Sequence, residues 1–341
     1  MDYHAPDTHA ESRRIAQYFA PLAQGEKGAQ NLVNDAAALE IPAHKKLIIT
    51  TDSAVEGVHL PRGCTLAQLA RKGMRRNLSD LAAMGASPWR YSFNMHLTTG
   101  THDDAIASMV TVLAEEQARF GCILIGGDST QDDARAHLTF TMLGLCDSDS
   151  NSHSRSGAQA GDDIYVSGTI GDGFLGLQEV LGGISSPPCG GRLGGGEVEG
   201  SVTLRSPPPH PSPVKGEGVL PNHESRITNH YYAPEPRLAL GAALHGIATS
   251  CIDISDGLLQ DATRIEQASN VKLMIATRAV PLSVEAHAAL QQNTVTLQQL
   301  ITGGDDYELL FTAPKHAAPS LQHIATQQNT RIAKIGSVTS A

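Results

Sequence analysis

Several protein classes are excluded by what this sequence lacks. Its five cysteines, Cys64, Cys122, Cys146, Cys189 and Cys251, are scattered and form no CxxC pair, which argues against a disulfide framework and a structural zinc site. No uninterrupted apolar run approaches the ~20 residues of a bilayer-spanning helix. Lys and Arg number 25 against 35 Asp and Glu, a formal net charge of −10. That balance leaves no basic arm for nucleic acid or a membrane surface, so neither is an expected partner. Met1 to Ser12 is polar and lacks the basic and apolar regions of a secretory signal, so the expected location is the cytoplasm. The 341 residues, 40% apolar and 18% charged, fit a soluble globular chain long enough for two domains.

What the sequence does contain is a recurring pairing of carboxylates with small residues at the ends of short apolar runs. The segments are Asn34-Asp35, Thr50-Thr51-Asp52, Asn77-Leu78-Ser79-Asp80, Gly126-Gly127-Asp128-Ser129, Asp253-Ile254-Ser255-Asp256-Gly257 and Gly303-Gly304-Asp305-Asp306. Carboxylates gathered from such distant stretches repel one another unless cations sit between them. Small neighbours leave room for a polyphosphate to approach the backbone. The pattern points to a nucleotide site holding several Mg²⁺ ions, the hard cation suited to carboxylate and phosphate oxygens.

Periodicity predicts an amphipathic helix over Glu11 to Leu22 and a buried strand over Lys46 to Thr51 that ends at Asp52. A helix follows over Leu66 to Met84, with Asn77 and Asp80 on one face. Further expectations are a strand at Trp89 to Leu97, a helix at Asp103 to Phe120, a strand at Cys122 to Ile125 ending at Gly126-Gly127-Asp128, and a strand at His137 to Leu145. The second half repeats the habit, with strands at Ile164 to Ser167 and Glu308 to Thr312 and a helix at Leu258 to Ala268. Residues 183–230 are rich in Pro and Gly, with runs such as Pro207-Pro208-Pro209, and read as an insertion without fixed structure. The histidines other than His59 are dispersed without ligand spacing and read as surface residues, and Met74 and Met84 read as core fillers.

These segments, in this order, resemble the thiamine-monophosphate kinase family of the ATP-binding superfamily that includes aminoimidazole ribonucleotide synthetase. The matching stretches are Thr50 to His59, Asn77 to Ala86, Ile125 to Thr130, Arg155-Ser156-Gly157, Ile252 to Gly257 and Gly303 to Leu309. The resemblance implies an α/β (α+β) chain of two domains, 1–148 with a mixed half-barrel sheet and 149–341 with an α/β sandwich. The first domain would bind ATP and Mg²⁺ and form a homodimer through its sheet. The implied activity is transfer of the ATP γ-phosphoryl group to thiamine monophosphate, giving thiamine diphosphate and ADP. By motif match, Asp35, Thr50, Thr51, Asp52, Asp80, Asp128, Asp253 and Asp256 would hold Mg²⁺. Gly127, Asp128, Arg155 and Ser255 would contact ATP, His59 would lie near the thiamine phosphate and Asp305 near the organic part of the substrate. The acceptor is already an anionic phosphate, so no general base and no catalytic histidine are expected.

Three departures from the family pattern bear on activity. Val33-Asn34-Asp35 stands where the family has Gly-Asp-Asp, and Asp305 where it has Glu. The sequence also stops at Ala341, before the family's substrate-facing aromatic. Two other readings stay open: a synthetase or dehydratase of the same superfamily, and a degenerate homologue that binds ATP without turnover.

Overall fold

The computed structural model describes residues 12–149, 152–182 and 225–341. In the first half, β1 (Lys45–Val55) leads to α1 (Leu66–Ala83), β2 (Ser87–Thr98), α2 (Asp103–Phe120), β3 (Ile123–Asp132) and β4 (His137–Asp147). The second half runs β5 (Asp163–Ser167), α3 (Asp172–Val180), α4 (Arg226–Tyr232), α5 (Leu238–Ala243), β6 (Ser250–Asp253), α6 (Leu258–Ser269) and β7 (Val271–Ile275). It ends with α7 (Val284–Gln291), α8 (Leu297–Thr302), β8 (Leu309–Ala313), α9 (Ala318–Gln327) and β9 (Ile332–Ser340).

The first sheet has the order β1-β4-β2-β3, antiparallel except for the parallel β2/β3 pair. Strand alternation gives it two different faces. Ala54, Phe93, Phe140 and Met142 point to one side and pack with Met74, Leu78 and Leu81 of α1 and Met109 and Leu113 of α2. Thr51, Ser53, Thr139 and Thr141 point to the other, where their hydroxyls bond across neighbouring strands. The starting point of α1 is written in the sequence. Thr65 Oγ1 accepts from Gln68 N at 3.1 Å while Gln68 Oε1 accepts from Thr65 N at 3.0 Å, a closed capping box. Gly73 lets α1 lie close on the sheet, since a Cβ there would fall 2.9 Å from the Phe140 ring.

The second sheet, β6-β8-β5-β9-β7, is antiparallel and covered on both faces. Ile164, Val166, Ile252 and Leu310 pack on α6, while Tyr165 and Phe311 meet Leu240, Leu244, Leu321 and Ile324. The two halves join through α1, whose Ala82 and Ala83 belong to that second cluster. At Gly241 a Cβ would stand 2.0 Å from the Ala82 carbonyl oxygen, so only glycine allows α5 to approach this closely.

Some expectations need correction. The amphipathic start is not one regular α-helix; Ile15–Phe19 is a π-helical turn that passes into a 3₁₀ turn at Ala20–Ala23. Gly126-Gly127-Asp128 is not a turn after a short strand but the middle of β3, and Asp52 likewise lies inside β1. Glycine at 127 is needed for pairing, because a Cβ would meet the Phe93 carbonyl oxygen at 1.9 Å. Residues 183–224 of the expected insertion lie outside the described residues. Its end at 225–230 departs from the expectation: α4 begins there, with Ser225 Oγ accepting from Thr228 N at 3.1 Å. Not all histidines are surface groups either. His153 and His245 stack with ring centroids 4.6 Å apart at the junction of the halves, their Nε2–H groups donating to the Gly241 and Gly85 carbonyls.

Candidate active site

The groove between α1 and the turns of the second sheet gathers charge from both halves of the chain. On β1, Thr50 and Asp52 point toward α1. Thr50 Oγ1 donates to Asp80 Oδ2 at 2.5 Å, and Asp52 Oδ2 accepts from Arg76 Nη2 at 3.1 Å. Lys72, Arg76 and Asp80 follow one another at four-residue spacing and so share one face of α1. Asp253, buried at the end of β6, accepts from Ser79 Oγ at 2.9 Å, tying the second sheet to the same helix. Asn77 also faces the sheet, donating to the Gly73 carbonyl at 2.8 Å.

Crowding marks this group electrostatically. Burial, then the neighbouring charge of Asp80, pushes the Asp253 carboxyl up to about 7. Burial raises Asp80 as well; the bond from Thr50 opposes that rise and the Asp52 charge adds to it. Arg155 is exposed, yet close enough to act on both Asp80 and Asp253.

The other end of the groove is built by the 303–307 turn. Asp305 N donates to the Ser255 carbonyl at 2.9 Å, and Tyr307 N donates to that of Ile254 at 2.8 Å. Asp305 and Tyr307 both hold positive φ, 63° and 52°, backbone that non-glycine residues rarely adopt. The two acids of the motif then part. Asp306 is buried and accepts from Gly171 N and Gly173 N, fixing the start of α3. Asp305 turns into the groove, 3.0 Å from Lys72 Nζ and 2.8 Å from the Tyr307 hydroxyl. Lys72 is fully buried and its ammonium lies 3.4 Å from the centre of the Tyr231 ring. Burial brings its pKa down to about 8, against the pull of Asp305. Tyr231 in turn donates to the His59 carbonyl at 2.9 Å. His59 is half-buried, its Nδ1 accepts from Val55 N at 3.0 Å, and burial and then Arg76 lower its pKa.

The structure therefore brings together Thr50, Asp52, Asp80, Asp253, Arg155, His59 and Asp305. It does not bring in the rest as expected. Asp35, Gly127 and Asp128 line one cavity with Phe19, Phe93 and Met95, against the opposite edge of the first sheet. Asp52 pairs with Phe140, Phe140 with Phe93, and Phe93 with Gly127. Three strand spacings thus separate Asp52 from the Gly127-Asp128 pair, about 14 Å. No single ion spans that gap. Convergence of all these acids within one copy of the chain is an expectation that the strand order overturns. Thr51 lies on the far face of β1, its Oγ1 bonded to Phe140 O and Thr141 Oγ1. Asp256 is exposed at the rim and paired with Arg264. Ser255 sits beside it, its backbone N donating to Asp261 Oδ2 at 3.1 Å.

Reading residues by motif missed Lys72, Arg76, Tyr231 and Tyr307. The first two were within reach, because Lys72, Arg76 and Asp80 form an i, i+4, i+8 stripe on a segment already read as helix. Tyr231 carried no such signal.

Oxygen donors only, crowded and with raised carboxyl pKa values, fit Mg²⁺. Among the described residues no three His, Cys, Asp or Glu side chains form a ready-made metal cage.

A half-barrel sheet joined to a second α/β layer, with acids and small residues along the groove, defines an ATP-binding protein of the AIR synthase class. The family "AIR synthase related protein, N-terminal domain" matches residues 33–146. The chain is 32% identical over 335 residues to the thiamine-monophosphate kinase of Caulobacter vibrioides, covering 97% of this chain and 84% of that protein. It is 32% identical over 309 residues to the enzyme of Escherichia coli K12, covering 88% and 82%. Among solved structures, the thiamine-monophosphate kinase of Stenotrophomonas maltophilia superposes with a TM-score of 0.74 at 28% identity, covering 91% and 88%. AaThiL, solved in complex with AMPPCP and TMP, gives a TM-score of 0.69 at 23% identity, covering 90% and 85%. This chain belongs to the thiamine-monophosphate kinase family.

Proposed function

We propose that this chain transfers the γ-phosphoryl group of ATP to the phosphate of thiamine monophosphate, giving thiamine diphosphate and ADP. The observation that carries this reading is one groove with two unlike ends. One end is an oxygen-rich acid group suited to metal-bound phosphates. The other is a mixed pocket of His59, Lys72, Asp305 and Tyr307 suited to an organic phosphate whose body is cationic. Mg²⁺ bound at Thr50, Asp52, Asp80 and Asp253 would neutralise phosphoryl oxygens. Arg155 adds charge from the rim, where ATP phosphates would lie. His59 and Asp305 orient the acceptor. Asp305 is one methylene shorter than Glu, and Tyr307 and Lys72 hold it in place. No side chain is required to take a proton from a phosphate acceptor. Residues 1–148 would form the ATP- and Mg-binding domain, 149–341 the second domain, and the cytoplasm is the proposed location. No helix among the described residues is long and apolar enough to cross a membrane.

The 14 Å separation bears on the assembly. Asp35, Gly127 and Asp128 reach the acid group if a second copy of the chain sets its β3 edge beside the β1 edge of the first; Thr51 stays on the far face of β1 in either case. That arrangement is a homodimer closed through the first sheet, with each site drawing on both copies.

Incubation with ATP, Mg²⁺ and thiamine monophosphate should yield ADP and thiamine diphosphate in equal amounts. ADP without thiamine diphosphate would refute the reading. Mixing inactive Asp52→Asn and Asp128→Asn chains tests the shared site. In a two-fold dimer one of the two sites becomes wholly native, so roughly a quarter of the activity should return. No recovery would place both acids in one copy.

A further inference from the structure

Arg76 carries a fixed positive charge into the acidic end of the groove. It lies one helical turn before Asp80. Its Nη2 stands 3.1 Å from Asp52 Oδ2, and its Nη1 donates to the Ser53 carbonyl at 2.8 Å. Its side chain is 13% exposed, and its buried Nε–H has no hydrogen-bond partner among the described residues. Tyr307, Asp305, Asp80, His59 and Lys72 are its other charged or titratable neighbours. Asp52 thus has one oxygen committed to an internal cation before any ion arrives, which leaves Oδ1 for a metal. The acids at the other sheet edge differ: no ion pair involves Asp35 or Asp128 among the described residues.

We propose that Arg76 is a resident cation of the groove, which keeps Asp52, Asp80 and Asp253 from loading a free divalent ion and reserves them for an ion that arrives with the triphosphate. The inference rests on the phosphotransferase reading. A guanidinium and a divalent cation that share the Asp52 carboxylate repel each other, and in the free protein only the Asp80 and Asp253 carboxyls offset that repulsion. A metal–triphosphate complex brings its own negative charge, and a phosphate oxygen can accept from the orphaned Nε–H. Loading of metal is thereby coupled to binding of nucleotide.

The test is Mn²⁺ binding to the nucleotide-free protein, followed by electron paramagnetic resonance. A unit charge acting on a divalent ion at about 6 Å in a water-like dielectric changes affinity about tenfold. Arg76→Met should therefore bind Mn²⁺ about tenfold more tightly than wild type, and Arg76→Lys, which keeps the charge, should stay near wild type. With AMPPCP present the difference between Arg76→Met and wild type should shrink. Arg76→Gln, which retains a donor for the Ser53 carbonyl, gives the same reading if Arg76→Met does not fold. Equal Mn²⁺ affinity in wild type and both neutral variants overturns the inference. Asp80→Asn then separates the two failures. If it weakens uptake, the groove holds the metal and only the role of Arg76 is wrong; if it changes nothing, the metal assignment falls as well.

Discussion

Replacing Asp305 by Asn removes one charge beside a buried ammonium together with the acceptor oxygen that takes the Lys72 bond. The amide oxygen still accepts from the Tyr307 hydroxyl, and the Tyr231 ring still faces Lys72 Nζ at 3.4 Å. Two unit charges about 4 Å apart interact by about 4 kcal/mol at an effective dielectric near 20. The Asp305 side chain is 27% exposed, so solvent screens part of this, and about 2 kcal/mol is a reasonable working value. With Asp305 present, Lys72 titrates at about 8 in the folded protein. Losing about 2 kcal/mol of attraction lowers that by about 1.5 pH units. The sign follows from proton counting. A lysine whose folded pKa is depressed costs stability below that pKa, and the cost lifts as pH rises toward the unfolded value. The variant has the lower folded pKa and therefore the larger cost at low pH. Its deficit should be about 2 kcal/mol at pH 6 and about 1 kcal/mol at pH 7, and should vanish near pH 9, where Lys72 is neutral in both folded proteins. Urea unfolding of both proteins at these three pH values, with chelator present, measures it. A deficit as large at pH 9 as at pH 6 would refute the assignment of this energy to the Lys72 charge.

Other outcomes follow from the same geometry. Asp128→Asn and Asp256→Asn should each lower kcat about tenfold or more while leaving the melting temperature within about 2 °C of wild type, because both side chains are exposed; near-normal rates in both would remove them from the metal site. Thr50→Val deletes the 2.5 Å bond to Asp80, should cost about 1 kcal/mol in urea unfolding, and should raise the Mg²⁺ concentration for half-maximal rate. Gly304→Ala sets a Cβ 2.5 Å from the Ser255 carbonyl oxygen at a φ of 74°, so the turn must shift; the expected signature is a raised KM for thiamine monophosphate with KM for ATP little changed. Equal rises in both would mean that the whole groove moved.

Local order was largely legible in the chain. The α1 boundaries follow from the Thr65–Gln68 capping box and from the left-handed Gly85 after the last turn, both set by residue chemistry within a few positions. The Asp103–Phe120 helix likewise begins with two acids that suit a helix N-terminus and ends at Gly121, φ 72°. Misreadings occurred where tertiary pairing outweighed local signals. Gly126-Gly127 looks like a turn because glycine breaks strands in isolation. Here the missing side chain at 127 is what lets β3 lie against Phe93. Arg226–Tyr232 was hidden by its Pro- and Gly-rich neighbours, although Ile227 and Tyr231, four residues apart, are both buried.

The candidate site was legible as an inventory and not as an arrangement. Short motifs name residues that carry oxygen and charge, but strand order decides which of them meet. Asp52 and Asp128 look equivalent in sequence, each an acid beside small residues after an apolar run. The β1-β4-β2-β3 order sends them to opposite edges, and no local property of either segment encodes that order. The cationic side of the groove was overlooked for a related reason. Lys72 and Arg76 look like solvated charges on an amphipathic helix, and on most helices that expectation is sound. They are buried here because the 303–307 turn and α4, far along the chain, close over them and supply Asp305 and the Tyr231 ring. A buried cation needs a partner; Arg76 finds one nearby in sequence at Asp52, whereas the partners of Lys72, Asp305 and the Tyr231 ring, lie more than 150 residues away. An acid group and a cationic stripe on one helix face were each visible alone, and only the fold shows that they form two ends of one groove.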